Sequence, residues 1–447
     1  MNKRMIILGA GESGTGAAIL AKLKGYDVFV SDAGRIAPVH KEELEKYGIE
    51  YEEGSHNEQR ILNAEEVVKS PGIPGNTALL NKIRERGIPV ISEIELAYRY
   101  IGNSRIVGIT GSNGKTTTTA LIGHLLRAND LDVAVVGNIG VSFARQVALD
   151  PKPVYVVEIS SFQLDDIHDF RPDIAIITNI TSDHLDRYNY NVEEYINSKF
   201  RIIENQQKTN HFIYNADDPV TVKKLEALKP TTNLLPFTMH KETNKGAFTK
   251  DGIMTIMTGS EKMDMNIYDF ALKGKHNQYN SMAAGIVGGL FGLRKEKIRS
   301  AMQPFESLEH RMEYVGTVRG VDFINDSKST NVNSAWFALE SMEKPTILIL
   351  GGVDKGNDYT LLEELLQDKK VKAIVCLGKD NARIHNAFGK TGIPIVDTLS
   401  AEEAVQQSFR LADKGDVVLL SPACASFDLF KNYEDRGTQF VQAVRNL

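Results

Sequence analysis

Cysteine is nearly missing from this chain: two thiols, Cys376 and Cys424, stand in 447 residues, neither with metal-ligand spacing around it. That scarcity argues against a disulfide-stapled scaffold and fits a reducing compartment. No apolar run approaches the ~20 residues that span a bilayer, so no membrane association is expected. The short apolar stretch at residues 5–8 runs into a glycine turn without a small-residue cleavage site, so no secretory leader is expected either. Basic excess is also lacking. Lys and Arg number 52 against 58 Asp and Glu, a net charge of −6, and no basic cluster suggests nucleic acid as a partner. What remains, 42% hydrophobic and 25% charged residues, is the profile of a cytoplasmic globular protein. The length suits about three domains.

Short apolar, β-branched runs alternate with amphipathic stretches along most of the chain. Residues 5–8, 28–30, 106–109, 133–136, 154–157, 174–177, 347–350, 373–377 and 417–420 read as strands covered on both faces, as in parallel sheets. Between them lie helical crossovers, such as 117–126 with Leu121, Ile122, Leu125 and Leu126 on one stripe. The expected class is α/β with mainly parallel sheets. Joints are expected near 93–103 and 302–306, dividing the chain into 1–94, 95–304 and 305–447. The segment 231–260, rich in Thr, Lys and Gly, reads as turns and short antiparallel strands. There is no internal repeat.

The strongest local signal is TGSNGKTT at 110–117, where a strand enters a glycine-rich turn that opens a helix. Gly111 and Gly114 let backbone N–H groups converge on phosphate oxygens, and the helix adds its positive end. Lys115 can neutralise terminal phosphates and the Thr116 hydroxyl can ligate Mg²⁺. Ile109 stands where the longer phosphate-loop pattern has its first glycine, so this is the shorter Gly-x-x-Gly-Lys-Thr form. A nucleoside triphosphate is the expected ligand.

A second glycine turn, GAGESG at 9–14, follows the first strand, and Asp32 ends the next one. The pattern suits a dinucleotide or any other diphosphate at a helix N-terminus. Taken alone it would permit an NAD-dependent oxidoreductase, which leaves the Lys115 loop unexplained; a non-catalytic nucleotide-binding protein is a further alternative. Ser70, Pro71 and Gly72 form a loop that could close over the same ligand. Glu158 ends the strand 154–157, well placed to hold Mg²⁺ beside the phosphate loop. His184 follows another strand end and suits a metal or substrate contact. Lys199 by itself reads as a solvated surface charge, because an ammonium cannot ligate a cation.

Five motifs in order, TGSNGKT at 110–116, NITSDHLD at 179–186, GKHNQYN at 274–280, LEHR at 308–311 and NDSKSTN at 325–331, resemble the Mur ligase family over nearly the whole chain. The resemblance implies an N-terminal UDP-binding Rossmann-like domain, a central P-loop ATPase and a C-terminal Rossmann-like domain. Within the family, the 9–14 turn with Asp32, the compact length and LSPACASFD at 420–428 resemble the branch that adds D-glutamate to UDP-N-acetylmuramoyl-L-alanine. The Asp-Asn-Pro-Arg loop of the branch that adds diaminopimelate or lysine is not found. A ligase adding a different amino acid is the alternative within the family.

By that resemblance, ATP would be held by Thr110, Gly111, Ser112, Asn113, Gly114, Lys115, Thr116 and Thr117, with Asn277, Arg311 and Asp326. Thr116 and Glu158 would hold one Mg²⁺, and His184 with a carbamylated Lys199 a second. Lys115, Glu158, His184 and Lys199 would then form the catalytic group. The UDP-linked substrate would meet Ser13 or Thr15, Asp32, Ser70, Pro71, Gly72 and Asn138; D-glutamate would meet Lys328, Thr330, Lys355, Ser426 and Phe427. The implied reaction makes an acyl phosphate, which must be kept from water, so closure of the C-terminal domain on ATP is expected. A monomer with small-molecule substrates is expected.

Overall fold

Each of the nine apolar runs forms a strand, and each of those strands has parallel neighbours, as burial on both faces requires. The computed structural model describes residues 3–181, 185–259, 262–270, 272, 274–305, 309–354, 356–368 and 371–447.

Three sheets carry the fold. The first is wholly parallel and runs β3-β2-β1-β4-β5, from β1 (Arg4–Leu8), β2 (Asp27–Asp32), β3 (Glu50–Glu53), β4 (Glu66–Lys69) and β5 (Val90–Ser92). Strand order reverses at β1, which opens a crevice at its carboxyl end, where the 9–14 turn lies. The second sheet holds β6 (Arg105–Thr110), β7 (Val133–Gly137), β8 (Val154–Glu158), β9 (Ile174–Ile177), β10 (His211–Asn215), β11 (Asn233–Thr238), β12 (Gly246–Lys250), β13 (Ile253–Met257) and β14 (Lys262–Asn266). Its order is β14-β13-β12-β11-β10-β9-β6-β8-β7. Here β6 sits between β8 and β9, so the phosphate loop leaves the sheet at its switch point.

The third sheet runs β15-β16-β20-β17-β18-β19, from β15 (Glu313–Val318), β16 (Val321–Asn325), β17 (Thr346–Leu350), β18 (Val371–Leu377), β19 (Ile395–Thr398) and β20 (Val417–Leu420). Only the β15–β16 pairing is antiparallel.

The expectation for 231–260 needs correction. Strand β11 pairs parallel with β10, and β12 parallel with β11; only β12, β13 and β14 form antiparallel pairs. Apolar Leu235 and Phe237 are buried, which extends the parallel sheet where composition alone suggested turns.

The chain divides into two compact units. One comprises Met1–Ala271 with Gln278–Phe305 and contains the first two sheets; the other comprises Leu272–Asn277 with Glu306–Leu447 and contains the third. In the first unit the helix Glu12–Leu23 packs on the helix Phe143–Leu149. Arg145 joins them: its guanidinium donates to both carboxylate oxygens of Glu12 and bridges to Glu43. The predicted stripe Leu121, Ile122, Leu125 and Leu126 is buried on the helix Lys115–Arg127.

Candidate functional site

The phosphate loop is shaped by a close approach. Gly111 has φ +144°, and a Cβ there would lie 2.0 Å from the Thr178 hydroxyl, so only glycine lets the turn pack on the end of β9. The residues after β9 then knit the loop in place. Asn113 N donates to Asn179 Oδ1 at 3.0 Å, while Asn179 Nδ2 and Thr178 Oγ1 donate to the Asn113 carbonyl at 3.0 and 2.6 Å. Ser112 Oγ donates to the Thr181 carbonyl at 2.8 Å and shares a hydrogen bond with the Tyr195 hydroxyl at 3.0 Å. Thr116 and Thr117 are buried at the start of the helix. Thr118 Oγ1 donates to Asn280 Oδ1 at 3.0 Å, so the GKHNQYN motif also supports this loop, a role for Asn280 that the sequence alone does not assign.

Two lysines meet the loop. Lys115 Nζ donates to the carbonyls of Gly111 and Ser112, each at 2.9 Å. Lys199 contradicts its reading as a surface charge: it is 2% exposed, donates to the Gly111 carbonyl at 2.8 Å, and lies 4.5 Å from the centre of the Tyr195 ring. Beside them Glu158, 1% exposed, ends β8, whose register places it next to Ile109 of β6. One Glu158 oxygen accepts from Asn138 Nδ2 at 3.0 Å; the other is buried with no hydrogen-bond partner among the described residues. A buried carboxylate oxygen left so costs stability unless a cation meets it, so the site fits a hard divalent ion. His184 lies outside the described residues.

The 9–14 turn is equally constrained. A Cβ on Gly14 would lie 1.8 Å from the Gly9 carbonyl, so the helix Glu12–Leu23 starts directly against the turn. Asp32 holds that turn from the end of β2: Oδ2 accepts from Ala10 N at 2.7 Å and Oδ1 from Gly34 N at 2.8 Å. Thr15 is buried and its hydroxyl is bonded to the Ala10 carbonyl at 3.3 Å, whereas Ser13 is only half-buried. The Ser70 hydroxyl donates to the Gly9 carbonyl at 3.3 Å, tying the second loop to the first.

Arg187 was not singled out from the sequence. Its guanidinium donates to the carbonyls of Pro71, Gly72 and Ile73 at 3.2, 3.4 and 3.1 Å and stacks over Phe162 at 4.2 Å. It therefore ties the 70–73 loop to the segment that follows β9.

The second unit has its own cluster. Asp326, just after β16, accepts from Met312 N at 3.2 Å and Ser421 Oγ at 3.0 Å. Burial pushes its carboxyl up to about 6, against the opposing pull of Arg311. Arg311 Nε is buried with no hydrogen-bond partner among the described residues. Burial, with Arg311 nearby, lowers His276 to about 4, next to Asn277 in sequence.

Lys328 stands 5.2 Å from the Tyr433 ring, Ser426 is buried, Thr330 is half-buried and Phe427 is 70% exposed. Lys355 lies outside the described residues. Arg436, unremarkable in sequence, is fully buried and laces this end of the sheet. It donates to Ser327 Oγ at 3.0 Å, the Ser327 carbonyl at 2.8 Å and the Cys424 carbonyl at 3.2 Å.

Three family models match in succession: the Mur ligase MurD-like N-terminal domain at 3–92, the Mur ligase middle domain at 109–288, and the Mur ligase glutamate ligase domain at 310–424. The chain is 52% identical over 446 residues to a UDP-N-acetylmuramoylalanine–D-glutamate ligase of Bacteroides fragilis, covering 100% of each. It is also 52% identical over 447 residues to the protein of the same name from Christiangramia forsetii, again over 100% of each. Among solved structures, a UDP-N-acetylmuramate–alanine ligase from Thermotoga maritima shares the fold with a TM-score of 0.63 at 17% identity, over 100% of both chains.

Proposed function

The chain belongs to the Mur ligase family, and on that premise we propose which of its residues carry each part of the reaction. It is an ATP-dependent acid–amino-acid ligase that joins D-glutamate to UDP-N-acetylmuramoyl-L-alanine in peptidoglycan precursor synthesis. The observation that supports the residue assignment best is the convergence of Lys115 and Lys199 on the Gly111 carbonyl, at the strand end beside Glu158.

ATP places its phosphates in loop 110–117, where Thr110, Gly111, Ser112, Asn113, Gly114, Thr116 and Thr117 surround them and Lys115 meets the terminal phosphate. Lys115 leaves its own loop carbonyls to do so, exchanging neutral acceptors for a charged one. The L-alanine carboxylate attacks the γ-phosphorus, the bond to the bridging oxygen breaks, and ADP leaves. The D-glutamate amine then adds to the acyl carbon, and the tetrahedral intermediate expels inorganic phosphate.

Thr116, Glu158, His184 and a carbamylated Lys199 would hold Mg²⁺, which supplies charge neutralisation to the phosphoryl and carboxylate oxygens. A carbamate keeps one N–H, so the modification is compatible with the Lys199 bond to Gly111.

In the first unit, Ser13, Asp32, Ser70, Pro71, Gly72 and Asn138 hold the UDP-linked acceptor. Ser13 is preferred to Thr15 because the Thr15 hydroxyl is already bonded to Ala10. In the second unit, Asn277, Arg311 and Asp326 contact ATP, and Lys328, Thr330, Lys355, Ser426 and Phe427 receive D-glutamate. Lys328 and Lys355 supply the positive charge that its carboxylates need. We place the domain boundaries after residues 94 and 304, and the enzyme acts as a cytoplasmic monomer. No helix among the described residues is long and apolar enough to cross a membrane.

The test is phosphate release from ATP with the UDP-muramoyl-alanine acceptor and a panel of amino acids. Release confined to D-glutamate is expected. Equal release with another amino acid would overturn the choice of substrate, and turnover undiminished in Lys115→Ala would overturn the site.

A further inference from the structure

Away from the nucleotide loops, one edge of the third sheet gathers three side chains of metal-binding chemistry. Parallel strands β18 and β19 pair Cys376 with Asp397, so thiol and carboxylate leave the same face of the sheet side by side. The helix Ala382–Phe388 connects those strands and brings His385 onto the pair, with Nε2 3.0 Å from each Asp397 oxygen. One ligand atom from each of the three residues lies within 4.8 Å of the others.

The surroundings hold these groups. Thr398 Oγ1 donates to the Cys376 carbonyl at 2.8 Å, fixing the strand ends. Asn381 Nδ2 donates to Asp397 Oδ1 at 2.9 Å and to the Gly378 carbonyl at 3.1 Å. The Asn381 Oδ1 is buried with no hydrogen-bond partner among the described residues, a spare acceptor beside the cluster. A recess of about 390 Å³ lined by Asn381, His385, Asp397 and Glu403 gives an ion a route from solvent.

Cys424 provides an internal contrast. It too is buried, but its sulfur meets Asn357 Nδ2 at 3.3 Å and the Tyr359 hydroxyl at 3.2 Å. No such cluster forms around it among the described residues.

We propose that Cys376, His385 and Asp397 form a site for a borderline-soft divalent ion, zinc foremost, that clips β18, β19 and their connecting helix together. Sulfur, nitrogen and oxygen donors in one cluster match zinc and cobalt, whereas Mg²⁺ takes oxygen ligands. Tetrahedral zinc with bonds of about 2.0–2.3 Å needs its ligand atoms somewhat closer than the present spread. The His385 side chain is 42% exposed and can move inward. On binding, the Cys376 S–H bond breaks, its proton goes to solvent and the sulfur lone pair forms the metal bond. Water in the recess or Asn381 Oδ1 completes the coordination. The site is structural and includes none of the residues assigned to ligase chemistry.

Cobalt is the probe. The full chain is stripped with chelator, dialysed and titrated with Co²⁺, following the near-ultraviolet sulfur-to-cobalt charge-transfer band. The chain has two cysteines, so the band reports on few residues. A band at one equivalent is expected, displaced by zinc but not by Mg²⁺. It should vanish in Cys376→Ser and His385→Ala and persist in Cys424→Ser. Asn381→Ala should weaken cobalt about tenfold, as loss of a supporting hydrogen bond does. His385→Ala alters a half-buried position outside the core and should keep ligase activity, which separates this site from the catalytic metal. No band in the wild type, or a band that survives in Cys376→Ser, overturns the proposal.

Discussion

Lys115 and Lys199 donate to the same carbonyl oxygen, that of Gly111, from 2.9 and 2.8 Å. Two ammonium groups so close repel each other unless an anion intervenes. The terminal phosphate of ATP would supply one, and conversion of Lys199 to a carbamate would replace a positive charge by a negative one. Enzyme depleted of CO₂ is therefore expected to lose activity and to regain it on adding bicarbonate. Lys199→Ala should be inactive at every bicarbonate concentration. Steady activity throughout CO₂ depletion, with an unmodified Lys199 mass, would rule the carbamate out.

Lys115 should behave differently. Its ammonium is placed to balance charge on the transferring phosphoryl group, so Lys115→Ala should lower kcat by about 10²–10³-fold without loss of fold. The expected kcat loss should not respond to bicarbonate. Circular dichroism with single-turnover phosphate release checks this, and a purely structural lysine would show unfolding instead.

Arg187 donates to three successive carbonyls of the 70–73 loop. Arg187→Ala removes those donors and should raise KM for the UDP-linked acceptor about tenfold, equivalent to about 1.4 kcal/mol, while KM for ATP stays nearly constant. Arg187→Lys should recover part of the loss, since an ammonium donates but cannot form the planar fork. Equal rises in both KM values would mean that Arg187 supports the phosphate loop instead.

Much of this architecture was legible from local signals. A strand buried on both faces must be written in apolar residues, as 106–109 and 347–350 are, and a phosphate loop must be written in glycine, lysine and threonine. The residues missed act across long separations. Arg187 meets Pro71, Gly72 and Ile73 only because β4 and the segment after β9 belong to one folded unit. Arg436 sits in an amphipathic helix, Tyr433–Arg445, where an arginine usually faces water; only the strand ends packed on it explain its burial. Lys199 misled for the same reason, its helix being covered by a loop that lies 88 positions away in sequence. Cys376, His385 and Asp397 follow no metal-binding spacing, because strand register brings thiol and carboxylate together.

Arg436 yields a stability prediction. Replacing it with Leu would leave Ser327 Oγ and the carbonyls of Ser327 and Cys424 without their donor. Each buried acceptor left so costs about 1–3 kcal/mol, so a loss above about 3 kcal/mol is expected. Arg436→Lys should recover little, because one ammonium cannot reach all three acceptors in the plane of the guanidinium. Urea unfolding followed through the single tryptophan, Trp336, reads the second unit, in which both residues lie. A loss under 1 kcal/mol would mean that water replaces the guanidinium.

Glu93 makes stability depend on pH. It is 1% exposed, Oε1 accepts from Ala144 N at 2.5 Å, and Oε2 is buried with no hydrogen-bond partner among the described residues. Burial pushes its carboxyl from 4.5 up to about 8. The folded state then binds a proton that the unfolded state has released, so the contribution of Glu93 to stability is greatest below pH 4.5 and falls as pH rises toward 8. In Glu93→Gln that fall is removed, while the amide carbonyl can still accept from Ala144. The variant should therefore melt above the wild type at pH 8.5, and the gap should close as pH is lowered toward 5. Parallel melting curves for the two proteins across that range would show that the Glu93 carboxylate is ionised throughout and paired in a way that burial alone does not describe.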